Sequence, residues 1–258
     1  MADLLEQVAA VAAEAGRLGT RRAAEGFRSW EKTPGSPVCE VDLEIDALIK
    51  ARLSAIDPTA GWLSEETADD PVRLAQSRLW VVDPIDGTRD YVRGRAGWAV
   101  SIALVEHGQP IIGVLDAPVR REVWLAEAGR GATRNGEPIH ASRRETFPGS
   151  RVPTDSLPKV DRDLVAVEKP NSIALRIAMV AANRADLLAT LRWGYEWDVA
   201  AAVLIAREAG AAVTDALGGE LAFNTPKAQA FGVLVSAPAI HAAAVERLAE
   251  RARAALRT

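Results

Sequence analysis

The sequence predicts an α+β / α/β protein in two halves, and three observations predict it. Apolar residues recur at helical spacing in two early segments. From Trp98 to Ala141 short apolar strands are joined by tight turns, too short for crossovers, so the sheet there is largely antiparallel. After residue 143 short apolar runs alternate with helical stretches, the pattern of a mixed α/β half. Two helices before an antiparallel meander form an α+β layer. The expected domains are therefore 1–142 and 143–258.

Leu4, Leu5, Val8, Val11, Ala12, Ala15 and Leu18 share one face of an opening amphipathic helix. Pro34, Gly35 and Pro37 break that pattern, so 30–39 is a loop or short hairpin. A second helix is predicted over 42–53, burying Ile45, Leu48, Ile49 and Leu53 and ended by Asp57-Pro58. Residues 61–64 form a short strand leading into Glu65-Glu66, and 79–82 a central strand. Trp98, Val100, Ile102 and Leu104 mark the next strand, His107-Gly108 its turn, 111–115 the return and 122–126 another strand. Asn135-Gly136 is a hairpin signal. The stretch 143–170 is the least legible, with a strand near 164–167. Beyond it come a helix over 173–182, a strand over 185–191, a helix over 198–209, a strand over 212–214 turning at Gly218-Gly219, a strand over 233–236 and a closing helix over 238–256.

The chemistry concentrates in Trp80-Val81-Val82-Asp83-Pro84-Ile85-Asp86-Gly87-Thr88-Arg89-Asp90-Tyr91. A β-branched run ends in two aspartates around a proline, a strand running into a tight polar turn. With Asp83 at the strand end and Asp86 bent back past Pro84, both carboxylates and the Ile85 carbonyl can converge. Hard oxygen ligands so arranged suit Mg2+, and two or more such ions clamp a phosphate. Gly87 permits close backbone approach, and Thr88 offers a hydroxyl beside the N–H groups of a helical start. The structural alternative is an Asx-type turn capping a helix. Glu65, after Trp62-Leu63, also sits at a strand end, and a neighbouring strand would bring it to Asp83. Asp198 and Asp42 each stand at a helix start, where an N-cap would explain them equally.

Composition sets the surroundings. The 258 residues are 48% hydrophobic and 26% charged with a formal net charge of −4, ordinary for a globular protein. No basic stripe points to a nucleic acid polymer, and no apolar run reaches membrane-spanning length. Cys39 is the only cysteine, which excludes an internal disulfide and fits a reducing compartment. The first residues lack a secretory leader, so a cytoplasmic location is expected. His107, His140 and His241 lack metal-ligand spacing, and turn or surface roles suffice. Trp62, Trp80, Trp98 and Trp124 are expected in the core; Trp193 and Tyr195 could stack an adenine or simply pack.

Ser64-Glu65-Glu66, Asp83-Pro84-Ile85-Asp86-Gly87-Thr88 and Trp197-Asp198-Val199-Ala200-Ala201 resemble, in order and spacing, the three signatures of the inositol monophosphatase superfamily, the lithium-sensitive Mg2+-dependent phosphatases. The likeness runs from about Leu4 to Leu248. It implies a layered α-β-α-β-α sandwich with a metal site between the halves: 1–142 would carry most metal ligands, and 143–258 would supply Asp198 and the substrate wall. It implies a hydrolase acting on a small phosphorylated metabolite, with two or three Mg2+ ions and room for a homodimer. Carried over by position, Glu65, Asp83 and the Ile85 carbonyl resemble ligands of a first ion, and Asp83, Asp86 and Asp198 those of a second, with Glu65 also holding a third, weaker one. Thr88 and Asp42 match the pair that positions and deprotonates the attacking water. Asp86, Gly87, Thr88, Arg89 and Asp198 would contact the substrate and its phosphate.

Two cues select among substrates. Arg89-Asp90-Tyr91 is similar to the basic-acidic-aromatic run of CysQ-type 3'(2'),5'-bisphosphate nucleotidases, as is Glu196-Trp197-Asp198. Leu191 stands seven residues before Asp198, where inositol-selective members place a glutamate. The resemblance therefore favours 3'-phosphoadenosine 5'-phosphate over inositol 1-phosphate, fructose 1,6-bisphosphate or histidinol phosphate. Arg89, Arg93 and Arg95 could bind a second phosphate or be solvated loop charge. Two departures stand out: Ser64 replaces the usual glycine, and 140–172 is shorter than the family's usual connection between halves. A non-catalytic regulator binding metal or phosphate is the alternative of another class; it would be expected to lose one of Glu65, Asp83, Asp86, Thr88 or Asp198, and all are present.

Overall fold

The computed structural model describes residues 3–33 and 36–257. The opening helix is α1, Leu4–Glu25, with Val8, Val11, Ala12 and Ala15 buried. Its inner face must be small: a Cβ on Gly16 would lie 1.8 Å from an Asp116 carboxylate oxygen, and one on Gly19 2.9 Å from the Trp98 ring. β1, Ser29–Thr33, and β2, Ser36–Cys39, form an antiparallel hairpin. Pro34 and Gly35, expected to break the helical pattern, lie outside the described residues.

α2, Glu40–Ile56, starts earlier than the predicted 42 because the Asp42 carboxylate accepts the Cys39 backbone N–H at 2.7 Å, a cap formed from inside the first turn. Ile45, Ile49 and Leu53 are buried as expected, whereas Leu48 is half-buried at the rim. β3, Gly61–Ser64, and β4, Arg78–Asp86, run parallel. A single helical turn, α3, Thr88–Val92, follows. Then β5, Ala99–Glu106, β6, Gln109–Ala117, β7, Glu122–Glu127, β8, Ala132–Arg134, and β9, Glu137–Pro138, build the antiparallel meander. Asn135 and Gly136 both take positive φ, 52° and 82°, as a two-residue hairpin turn requires.

β3 to β9 form one seven-stranded sheet in chain order, with β3–β4 its parallel pair. On one face Trp80, Val82, Ile102 and Leu104 pack against Val8, Val11, Ile45 and Ile49. On the other, Leu79, Val81, Ala103 and Leu115 pack against α4, Ile173–Ala181, and α5, Ala200–Glu208. Burial on both faces is why β4 and β5 read as nearly continuous apolar runs. The approach of α5 is close enough that a Cβ on Gly113 would lie 2.5 Å from the Ala201 carbonyl oxygen.

The poorly legible 143–170 segment contributes a parallel pair, β10, Arg151–Pro153, and β11, Val165–Val167. The remaining strands are β12, Leu187–Ala189, β13, Trp193–Tyr195, β14, Ala212–Thr214, β15, Gln229–Phe231, and β16, Leu234–Ser236, before α6, His241–Leu256. β12-β16-β14 make a small antiparallel sheet, and β13 with β15 an antiparallel ribbon that periodicity did not predict. Leu187, Leu234, Ala244 and Leu248 join that sheet to α6. The layers are thus α1/α2, large sheet, α4/α5, small sheet and α6, the expected α-β-α-β-α sandwich. The helix predicted over 198–209 begins only at Ala200, and the strand predicted over 185–191 shrinks to three residues. Among the described residues no helix is long and apolar enough to cross a membrane. Trp80, Trp98 and Trp124 are buried, Trp62 is half-buried, and Trp193 and Tyr195 are exposed.

Candidate active site

Parallel pairing aligns Ser64 with Val82, so Glu65 follows directly beside Asp83, its N–H donating to the Val82 carbonyl at 3.3 Å. β4 is aligned with β5 at Asp83–Ser101 and again at Asp86–Ala99, three residues against two. That bulge contains Pro84, which has no N–H to donate, and it re-aims the end of the strand. The Asp83 carboxylate accepts the Ile85 N–H at 3.0 Å, and the Ile85 carbonyl accepts the Thr88 hydroxyl at 3.0 Å. Gly87 has φ of 97°, and a Cβ there would lie 2.6 Å from the Gly97 carbonyl oxygen, so the turn requires glycine.

Asp198 arrives from the turn before α5, where its carboxylate accepts the Tyr195 N–H at 3.3 Å. It is therefore not the N-cap of the following helix. Glu65, Asp83 and Asp198 each present an oxygen, all within 4.8 Å of one another. Burial, and then Glu65, Asp86 and Asp198, hold the Asp83 pKa well above the usual carboxylate range. Burial followed by Asp86 pushes Asp198 up to about 7. Carboxylates so close, one buried and two half-buried, repel one another unless a cation lies between them, and a hard divalent ion suits this oxygen donor set.

Asp86 lines the same cleft but differs in partners. Its carboxylate accepts the Ser172 hydroxyl and the Ile173 and Ala174 N–H groups at 3.2 and 2.7 Å, taking up the amino end of α4. Burial raises its pKa against those bonds. Thr88 stands 3.5 Å from the Asp42 carboxylate, so Asp42 serves a helix cap with one oxygen and faces Thr88 with the other. Arg89 lies at the cleft wall.

The cleft encloses about 420 Å³. It is walled also by Lys169, Asn171, Arg176 and Arg192, which sequence reasoning did not single out. Arg176 is held by donation to the Ser172 and Asn171 carbonyls at 3.2 and 3.0 Å. Ser172 four residues before Arg176, at a helix start, was the available signal. A second hollow of about 430 Å³ shares Arg89, Lys169 and Asn171 with the cleft and adds Arg93 and Arg95. Asp155 pairs with Lys169, and Asp90 lies 3.9 Å from Arg95.

The remaining candidates fall outside. Cys39 is buried, and burial pushes its thiol up to about 12, which suits an inert small hydrophobe. None of the three histidines lines the cleft. His241 has neither a turn nor a surface role: its ring bridges Ser236 and Thr214 at 2.8 and 3.1 Å. Leu191 turns away, into an apolar hollow with Leu187 and Leu248.

Comparison with known proteins agrees with this geometry. The profile of the inositol monophosphatase family matches residues 1–258. A Thermotoga maritima protein named fructose-1,6-bisphosphatase/inositol-1-monophosphatase is 34% identical over 191 residues, 71% of this chain and 73% of that protein. A protein of Xylella fastidiosa named Nus factor SuhB is 36% identical over 196 residues, 70% of each. The solved structure of a Thermotoga maritima IMPase superposes with a TM-score of 0.85 at 29% identity, covering 98% of this chain and 99% of that one.

Proposed function

The chain belongs to the inositol monophosphatase family of phosphoric monoester hydrolases, and from that premise we propose that it hydrolyses a small metabolite bearing a second anionic group beside the cleaved phosphate, with 3'-phosphoadenosine 5'-phosphate as the preferred compound. The observation that carries this reading is adjacency: the cleft of Glu65, Asp83 and Asp198 shares Arg89, Lys169 and Asn171 as walls with the hollow of Arg93 and Arg95. A guanidinium cluster there would hold a second phosphate. Leu191 supports the same reading, because a leucine side chain offers no carboxylate to a polyol.

Glu65, Asp83 and the Ile85 carbonyl would hold one Mg2+, and Asp83, Asp86 and Asp198 a second, with Glu65 reaching a third; 1–142 would supply all of these but Asp198, which 143–258 contributes. Mg2+ held there would neutralise phosphate charge and lower the pKa of water below its bulk value. The chain's own residues supply the rest. The Thr88 hydroxyl orients the attacking water and passes its proton toward Asp42, 3.5 Å away. The N–H groups of Gly87 and Thr88 cradle the phosphate oxygens, and Arg89 balances their charge. A water oxygen–phosphorus bond would form as the ester P–O bond breaks; the leaving alkoxide would take its proton from solvent water, and the proton passed to Asp42 would return to solvent.

The test is phosphate release with Mg2+, comparing kcat/KM for 3'-phosphoadenosine 5'-phosphate, inositol 1-phosphate and histidinol phosphate. Preference for the nucleotide by about tenfold or more is expected. Preference for inositol 1-phosphate, the second reading, is favoured by the names of the relatives, and would overturn the substrate assignment while leaving the hydrolase. The Nus factor name of one relative makes the regulator reading worth the same assay: Mg2+ binding without turnover of any of the three would favour it.

A further inference from the structure

Glu65 and Asp198 come from distant parts of the chain, yet their oxygens lie within 4.8 Å. A polar network outside the cleft joins the segments that carry them. Arg73, in the 3-10 turn Pro71–Ala75 after Glu65, is 2% exposed. Its Nε and Nη2 donate to the two Asp69 oxygens at 2.6 and 2.9 Å. Its remaining bonds leave that segment: Nη1 to Asn224 Oδ1 at 2.7 Å and Nη2 to the Thr225 carbonyl at 3.0 Å. The Asn224 amide donates back to the Arg73 carbonyl at 3.2 Å.

The same two loop residues are gripped from the other side. Glu196 is 0% exposed; one carboxylate oxygen accepts Asn224 N–H at 2.7 Å, the other Thr225 N–H at 2.8 Å and the Thr225 hydroxyl at 2.6 Å. The Glu196 carbonyl accepts Val199 and Ala200 N–H at 3.2 and 2.9 Å, which closes the turn displaying Asp198. The path is continuous: Glu65, its following loop, Arg73, 224–225, Glu196, Asp198. Neither Arg73 nor Glu196 lines the cleft. Burying both charges carries a desolvation cost, and apolar residues of similar volume often serve stability as well. A function in geometry accounts for that cost, since partners behind a metal ligand set its orientation and affinity.

We infer that Arg73 and Glu196 are positioning residues which clamp the 224–225 loop between them, hold Asp198 at its distance from Glu65, and thereby set affinity for the divalent cation. The inference rests on the reading of Glu65, Asp83 and Asp198 as a metal site. It is tested by calorimetric titration of magnesium chloride into the metal-free protein, with Tm measured alongside, for wild type, Glu196→Gln, Arg73→Lys and Thr225→Val. Asp186→Asn is the control: it breaks the ion pair of buried Asp186 with half-buried Arg151, and Asp186 lines none of the cleft.

The expected result is a Mg2+ Kd raised about tenfold or more in Glu196→Gln and Arg73→Lys, with kcat largely restored at saturating Mg2+. Thr225→Val, which removes one hydroxyl bond, gives a smaller rise and keeps the test open if either charge variant fails to fold. Asp186→Asn lowers Tm with Kd unchanged. The inference is overturned if the clamp variants lower Tm while their Kd stays within about twofold of wild type, a difference worth well under 1 kcal/mol. Absence of Mg2+ binding by the wild type would instead sink the metal reading itself, and the clamp with it.

Discussion

The Ser172 hydroxyl donates to the Asp86 carboxylate across 86 positions of sequence, while the same oxygen accepts Leu175 N–H at 2.9 Å as the cap of α4. One side chain therefore fixes both a helix start and the orientation of an acid in the cleft. Ser172→Ala should remove both. Loss of the cap costs about 1 kcal/mol, or a Tm lower by roughly 2–4 °C. With Asp86 less constrained, the Mg2+ concentration for half-maximal turnover should rise. Ser172→Thr retains the hydroxyl and should restore both values. Unchanged Mg2+ dependence in Ser172→Ala would confine the serine to capping.

Asp83 sits with its carboxylate buried among Glu65, Asp86 and Asp198, and its pKa is raised. Ionising it in the metal-free protein at neutral pH is therefore unfavourable. Asp83→Asn should abolish Mg2+-dependent turnover yet raise the Tm of the metal-free protein, because an acid that the fold penalises at neutral pH and the unfolded chain does not is replaced by a neutral amide. Added Mg2+ should stabilise wild type, by mass action on a site present only in the fold, and leave the variant's Tm flat. Asp198→Asn should behave alike. Full turnover in either would remove these residues from the metal site.

Thr88 touches the Ile85 carbonyl and faces Asp42. Thr88→Ala deletes the hydroxyl proposed to orient the water and pass its proton, but no carboxylate. Kcat should fall by about 10²–10⁴-fold, with the calorimetric Kd for Mg2+ unchanged, and Thr88→Ser should recover much of the rate. A variant that lost metal affinity in step with rate would give Thr88 a structural duty to the turn instead.

The acids of the site were legible because each ends an element: Glu65 after β3, Asp83 near the end of β4, Asp198 just before α5. A strand end or helix start is a local pattern, and local patterns survive in sequence. The cationic wall was not legible. Lys169 and Asn171 lie in the proline-bearing segment before α4, and Arg192 in the link to β13, a three-residue strand too short for periodicity to register. Their convergence depends on how α4 packs on the large sheet. Arg73 illustrates the same limit, and so does the role of Glu196, which the sequence marked only through its motif with Trp197 and Asp198: neither contact is visible until residues 224–225 come between them. Asp42 shows that a helix cap and a cleft-facing role need not be alternatives, because a carboxylate has two oxygens.

Asp116 gives a pH signature independent of the cleft. It lies on β6 beneath α1, 6% exposed and against Gly16, and burial raises its pKa from 3.8 to about 6, with Arg17 opposing. The folded state thus holds this proton more tightly than the unfolded chain. The Asp116 contribution is most favourable below pH 4, where both states are protonated. It becomes a penalty as pH rises, because the unfolded chain ionises first, and the penalty is complete above about 6. Its ceiling is about 3 kcal/mol. Asp116→Asn keeps the shape without the charge, so its Tm should exceed that of wild type above pH 6, and the two melting curves should converge near pH 4. A constant offset across pH would mean that Asp116 does not titrate in this range, and a lower Tm for the variant at pH 8 would mean that its carboxylate is held by a favourable partner.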